Sequence, residues 1–239
     1  DDQEDVAWTI TKYGLIALPI VDHEMCMVGI VTVDDAMLVL QEETTEDISI
    51  MAGVHPSEES YFGTTVIEHV KSRIPWLLFL MLSATVTQMI MNSYESALAV
   101  MPQLAGFIPM LTGTGGNCGS QSSTLVIRGL AVEEIEFADI LKVIWKEVRI
   151  AILISAALSV VNGIRIMLMG QGDATMAFTI GVTMACTIII AKVVGCTLPL
   201  VAEKVGLDPA IMATPLISTL VDISTISVYF AIISAVFAL

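Results

Sequence analysis

The chain has 239 residues, 55% of them hydrophobic and only 15% charged. Soluble domains average about 45–50% apolar and about 25% charged residues, so this composition excludes an entirely soluble protein and indicates an integral membrane protein with a polar attachment. The formal charge of −15 is uneven: residues 1–70 hold fifteen Asp and Glu against one base, Lys12, whereas residues 71–239 hold ten acids and nine bases. An acidic cap on a nearly neutral membrane part draws cations, and no nucleic acid partner is expected for it.

Residues 1–40 read as a small α/β fragment. DVAWTITKYG is helical, and ALPIVD and the β-branched MVGIVTV are strands around a turn near His23 and Glu24. DDAMLVLQEE opens a second helix, with Asp34 as its N-cap. A fragment of this size lacks a stable core of its own and is expected to pair with sequence upstream of Asp1 or with a second subunit. Residues 41–73 begin with Glu42, Glu43, Glu46 and Asp47 and are expected to form a connecting helical segment that leads to the membrane.

Five apolar segments follow, near 74–92, 97–128, 144–169, 175–201 and 211–239. Each is long enough for a hydrocarbon core of about 30 Å if the second includes its glycine-rich GTGGNCGSQSST. The expected fold is an all-α polytopic membrane domain of five transmembrane helices over residues 74–239, with the partial α/β fragment before it. Lys71 and Arg73, then Arg128, Lys142, Lys146 and Arg149, then Lys204 fall on one side; the opposite loops, NSYES and GQGDAT, hold no base. That asymmetry puts the N-terminus in the cytoplasm and the C-terminus outside. Cys26, Cys118, Cys186 and Cys196 form no C-x-x-C pair and are expected to be buried free thiols.

Asp222 stands alone in TPLISTLVDISTISVYFAIISAVFAL, with no Lys, Arg or His in that run to pair with it. A carboxylate at bilayer depth costs at least about 2.5 kcal/mol, so such a residue lines a pathway or meets a partner from elsewhere. Thr214, Ser218, Asp222, Thr225 and Tyr229 share an arc of about 80° on a helix, and Pro215 can free carbonyl oxygens near its start. The competing reading of the hydroxyls is a structural polar face buried between helices.

In the second segment Gly115 and Gly119 stand at G-x-x-x-G spacing, which permits close helix approach. Asn117, Gln121 and Thr124 share one helical face. No G-K-[ST] follows, so a phosphate-binding loop is not supported. Neutral amides with one carboxylate are a hard-oxygen set suited to Mg2+ or Ca2+, and so sparse a site suits a hydrated ion. Lys192, near the middle of the fourth segment, needs an internal partner, whereas Arg165 can snorkel. An intramembrane aspartyl protease needs two carboxylates sharing a proton. Here Asp222 is the one deep carboxylate and Asp173 falls in an outer loop, and no enzymatic activity is expected.

PMLTGTGGNCGSQSSTLVIRGL and GLDPAIMATPLISTLVDISTISVYF resemble the two signature regions of MgtE-type magnesium channels. RIPWLL, and LPIVD, VGIVTVDDA and EETTEDI upstream, resemble the same family in the same order. The resemblance implies a homodimer in the plasma (inner) membrane, five helices per chain, and a pore on the two-fold axis lined by the second and fifth helices. It implies that Asp222 meets hydrated Mg2+, that Asn117 and Gly113 line the pore, and that Thr214 and Ser218 turn backbone carbonyls to the ion. Residues 1–40 then look like the C-terminal half of a cystathionine-β-synthase (CBS) domain, and 41–73 like an acidic plug region. Glu43, Glu46 and Asp47 match plug acids, and Asp34 and Asp35 match acids on the CBS side; Leu38 departs from the pattern, where an acid is usual.

The implied activity is Mg2+-selective conduction gated by intracellular Mg2+, which holds the acidic CBS and plug surfaces together and closes the pore. A nucleotide is an implied ligand of the CBS region in a longer chain. The alternative is a proton-coupled secondary transporter of divalent cations.

Overall fold

The computed structural model describes residues 2–57 and 59–237, and at Thr214 the backbone alone. The first helix, α1 (Gln3–Tyr13), starts on Asp2, whose carboxylate accepts from the Glu4 amide, and stops at Gly14 in the left-handed region. Strands β1 (Ala17–Val21) and β2 (Met27–Thr32) pair antiparallel, and helix α2 (Val33–Met51) follows directly. Its N-cap is Thr32, not the expected Asp34. Thr32 and Asp35 close a reciprocal capping box, which satisfies two free amides at once and leaves Asp34 in the first turn.

Ala7, Ile10 and Ala36 are the fully buried residues of this cap, while Ile16, Val28 and Ile30 of the hairpin region stay exposed. The core is thus as small as its length dictates.

The connecting region is not one helix. Helix α2 runs unbroken through residue 40 and ends at Met51, and residues 52–65 are irregular where described. Gly53, at φ +70, turns the chain, and Pro56 cannot resume a helix. Helix α3 (Val66–Ser93) begins on a second capping box, Thr65 with Glu68. The second apolar segment is also broken. Helix α4 (Glu95–Val100) stops before Pro102, a 3-10 turn spans Pro102–Phe107, and α5 (Ile108–Ala131) follows.

Another 3-10 turn, Phe137–Asp139, leads into α6 (Ile140–Leu168), then α7 (Ala174–Lys204). The turn Pro209–Met212 precedes α8 (Thr214–Phe237), described to Phe237 where the expectation ran to residue 239. Among the described residues four stretches are long and apolar enough to cross a bilayer: Val66–Ser93, Phe137–Leu168, Ala174–Lys204 and Pro209–Phe237. Helix α5 has 24 residues, about 36 Å at 1.5 Å per residue, but its glycine-rich run is too polar to stand out by apolarity.

Helix α7 is central, packing on α5, α6 and α8, while α5 also packs on α8; the main partner of α3 is α8, and α3 buries no residue fully. Leu104, Leu111, Ile180, Ile188, Ile217, Val221 and Phe230 fill the shared core.

Two glycines bring α5 and α7 together backbone to backbone. A Cβ on Gly195 of α7 would lie 2.2 Å from the Gly119 carbonyl oxygen of α5, a separation that only hydrogen permits. Gly195→Ala must therefore push two backbones apart, and overpacking costs typically about 1–3 kcal/mol or more. We expect a lower melting temperature in detergent for Gly195→Ala. Gly163→Ala on α6, with nothing within 4 Å of the added Cβ, should be neutral or slightly stabilising, since Ala favours a helix by roughly 0.5–1 kcal/mol over Gly.

Candidate functional site

The glycines of α5 form its inward face. Gly115 lies against Thr187, Val221 and Thr225, and Gly119 against Ile217 and Val221; a Cβ on Gly116 would be 3.3 Å from the Ser218 hydroxyl. Asp222 follows Val221 directly, so it lies at the depth of this glycine run, about 12 Å from the start of α8 by helical rise. It is partly exposed, and its carboxylate has no ion-pair or hydrogen-bond partner among the described residues.

The polar arc of α8 divides. Ser218 and Asp222 stand at the margin of the bundle, whereas Thr225 and Tyr229 are buried inside it. The Tyr229 hydroxyl donates to the Leu104 carbonyl at 2.8 Å, which ties α8 to the turn before α5. Tyr229 is thus a structural residue. Thr214 begins α8, and its side chain lies outside the described residues.

On α5, Gly113, Asn117, Gln121 and Thr124 are all exposed. Asn117, Gln121 and Thr124 line a cavity of about 720 Å3 together with Ser120, Glu147 and Lys192. Here the structure corrects one expectation and completes another. Asp222 is not the one deep carboxylate: Glu147 is buried within α6. It is the partner that Lys192 required, at 3.1 Å. The sequence does not single out Glu147, which stands between the flanking bases Lys146 and Arg149; the unmatched Lys192 is the signal that points to it. The pair is an anion with a cation, so no proton-sharing dyad arises. Arg165 donates to Asn162 of its own helix. All four cysteines are free, but they are not all buried as expected: Cys26, in the hairpin turn, is exposed and Cys186 is half-buried.

The regulatory candidates fall in two groups. Glu43, Glu46 and Asp47 occupy the later part of α2, which packs on the Pro209–Met212 turn leading into α8. That contact brings in Asp208, an acid the sequence reading did not select; it also caps its turn, accepting from the Ala210 amide at 2.7 Å. Burial, then Asp208, Glu43 and Glu46, push the Asp47 carboxyl up to about 6. Burial, Glu43 and Asp47 also raise Glu4 of α1, against a hydrogen bond from Trp8.

Asp34 and Asp35 stand about 12–20 Å from the plug acids along the same helix, and Asp35 is engaged with Thr32, at 2.6 Å to its hydroxyl. A single chain therefore does not bring the two groups together. Among the described residues no three Asp, Glu, His or Cys side chains are placed to hold a metal directly. Lys12, the cap's sole base, reaches Glu133 in the α5–α6 connection at 2.5 Å.

The sequence profile of the MgtE divalent cation transporters matches residues 108–232, from the start of α5 to near the end of α8. The chain belongs to the MgtE family. It is 36% identical over 235 residues to the magnesium transporter MgtE of Thermus thermophilus, 36% over 237 residues to that of Enterococcus faecalis, and 37% over 234 residues to that of Bacillus subtilis. The alignments cover 97% or 98% of this chain and 51% of each relative, so the chain spans about half the length of the curated relatives it matches. MgtE is a family of membrane transporters, not of enzymes, and the four apolar helices make this member a multi-pass membrane protein.

The raised Asp47 has a measurable consequence. Its proton leaves near 6 in the folded protein and near about 4 when unfolded. The folded state thus binds more protons between those values, and stability falls as pH rises through that window. Melting temperatures in a chelator should drop from about pH 4.5 to about pH 7 and drop less in Asp47→Asn. Added Mg2+ should flatten the slope of the parent; a slope indifferent to both changes would discount the acid cluster.

Proposed function

We propose that the chain is the membrane part of a homodimeric Mg2+ channel, with α5 and α8 of two copies facing a pore on the two-fold axis. The observation that carries this is Asp222: a partly exposed carboxylate, unpartnered among the described residues, at the depth where α8 meets the glycine face of α5. A lone charge facing lipid is costly. A second Asp222 across the axis with a hydrated Mg2+ between them resolves that cost, and Mg2+ gives up its waters reluctantly.

On this reading α3, α5, α6, α7 and α8 are the five spans, with the N-terminus cytoplasmic and the C-terminus outside. Gly113 and Asn117 line the pore on α5. Thr214 and Ser218 offer backbone carbonyls near its cytoplasmic mouth, and Pro215 supplies no amide to the carbonyl four residues before it, that of Ile211. The boundaries remain 1–40 for the partial CBS domain, 41–73 for the plug region and 74–239 for the pore, with α2 continuous across the first. The magnesium transporter names of the aligned relatives support Mg2+ as the cargo.

Gating follows from the acids. Glu43, Glu46, Asp47 and Asp208 repel one another where α2 meets the approach to α8. Asp34 and Asp35 supply the facing acidic surface from a neighbouring subunit or domain. Cytoplasmic Mg2+ offsets this repulsion and favours the closed arrangement; a ligand shifts such a gate only by its differential affinity for the two states.

Asp222→Ala should abolish Mg2+ uptake by the full-length protein in liposomes while the dimer still elutes intact; unchanged uptake would remove Asp222 from the pore. Current in a clamped bilayer without a proton gradient separates a channel from a proton-coupled transporter. Glu43→Ala with Glu46→Ala should move closure to higher internal Mg2+ in the same recordings, and an unaltered Mg2+ response would exclude both from the gate.

A further inference from the structure

The cavity behind the Asn117 face has a wall that conduction along α5 and α8 does not use. Lys192 of α7 lies 3.1 Å from the Glu147 carboxylate of α6 and donates to Ser122 of α5 at 3.0 Å. Ser122 donates in turn to the same Glu147 oxygen at 2.5 Å. Lys192 is 3% exposed, Glu147 7% and Ser122 0%. The hydroxyl of Ser120, on the same cavity wall, is buried with no partner among the described residues.

These groups have the chemistry of a cation site with its cation already covalently attached. The Glu147 carboxylate, the Ser120 and Thr124 hydroxyls and the Asn117 and Gln121 amide oxygens are hard donors of the kind that suit hydrated Mg2+. Six waters need about 180 Å3 at roughly 30 Å3 each, for which the open cleft of about 720 Å3, lined on its apolar side by Leu125, Ile150 and Ile154, has room.

A buried carboxylate without a counter-ion attracts a divalent ion far more strongly than one in water. Conduction requires sites weak enough for the ion to leave. An ammonium, with three donors and no acceptor, fills the cation's place and cannot diffuse away.

We propose that Lys192 is a tethered counter-cation that keeps Glu147 from capturing divalent ions, so that the chamber beside the Asn117 face is a latent divalent-cation site held shut by its own lysine. The proposal rests on the reading that the Asn117 face looks onto the ion's path. A pair that merely staples three helices would lose stability on substitution whatever ions are present; a latent site would gain an ion.

The test uses full-length protein with Mn2+ as the probe, counted by electron paramagnetic resonance, alongside thermal melting and Mg2+ flux. Lys192→Met and Lys192→Asn should each bind one more Mn2+ per chain than the parent. Mn2+ should raise their melting temperatures more than the parent's, and Mg2+ flux should fall several-fold. Adding Glu147→Gln to either should remove the extra Mn2+ and restore flux. Lys192→Asn serves where Met is not accommodated.

Folded single variants with no extra Mn2+ overturn the proposal, as do single variants that neither fold nor recover with Mn2+. The Mn2+ count is read without flux and so is separate from the pore assignment. If Asp222→Ala leaves uptake intact while Lys192→Met gains Mn2+, the pore reading fails and the latent site stands.

Discussion

The contact on which the arrangement depends is the backbone-to-backbone meeting of α5 with α7 and α8. Glycine at 115, 116, 119 and 195 removes the side chains that would hold these helices apart. Helix packing in a bilayer has no hydrophobic force to draw on and relies on close van der Waals fit, so small residues decide which faces meet. Because the glycine face of α5 is committed inward, Asn117, Gln121 and Thr124 are necessarily turned away from the bundle. The same contact fixes the depth of Asp222 against α5, since Val221, its neighbour, fills the space over Gly115 and Gly119.

This explains which parts of the fold the sequence disclosed. The helices α3, α6, α7 and α8 are long apolar runs, and hairpin and helices of the cap follow from alternation and capping residues. G-x-x-x-G spacing marked the packing face, and the three polar residues of α5 fell on one side as their spacing requires. The breaks were harder to see. The hydrophobic pattern persists through Met101–Pro102, but Pro102 and the 3-10 turn it opens, Pro102–Phe107, separate α4 from α5. Thr32 displaced Asp34 as the cap because Asp35 stands at the position that completes a capping box. The polar arc of α8 was correct in angle, but angle does not say which part meets a neighbour. Tyr229 finds a carbonyl on another element 125 positions away, and no local rule anticipates that.

The two charged features missed by local reading are both long-range pairings. Glu147 sits among bases near the start of α6, where a flank is the natural interpretation; its burial comes from α5 and α7. Asp208 looks like a turn-capping residue and is one, yet the packing of α2 on that turn places it near Asp47. In each case the residue type was informative only once a second element supplied its environment. Lys192 was the exception, because a lysine in mid-membrane demands a partner before its location is known.

The two acid systems carry opposite physical requirements, and the structure treats them differently. In the cap, carboxylates crowd one another with little compensation, which is costly in the absence of a cation and therefore responsive to one. The gate proposed above would need that sensitivity, because its free energy must change over the concentration range it senses. Of the two deep carboxylates of the membrane part, Glu147 is neutralised within the chain by Lys192, and Asp222 is left without a partner among the described residues. A conduction path needs a carboxylate count low enough that no ion is held tightly. Under the proposed pore, one uncompensated acid per chain at that depth, its charge buffered by a hydrated ion, would meet the requirement, whereas a second would hold the ion.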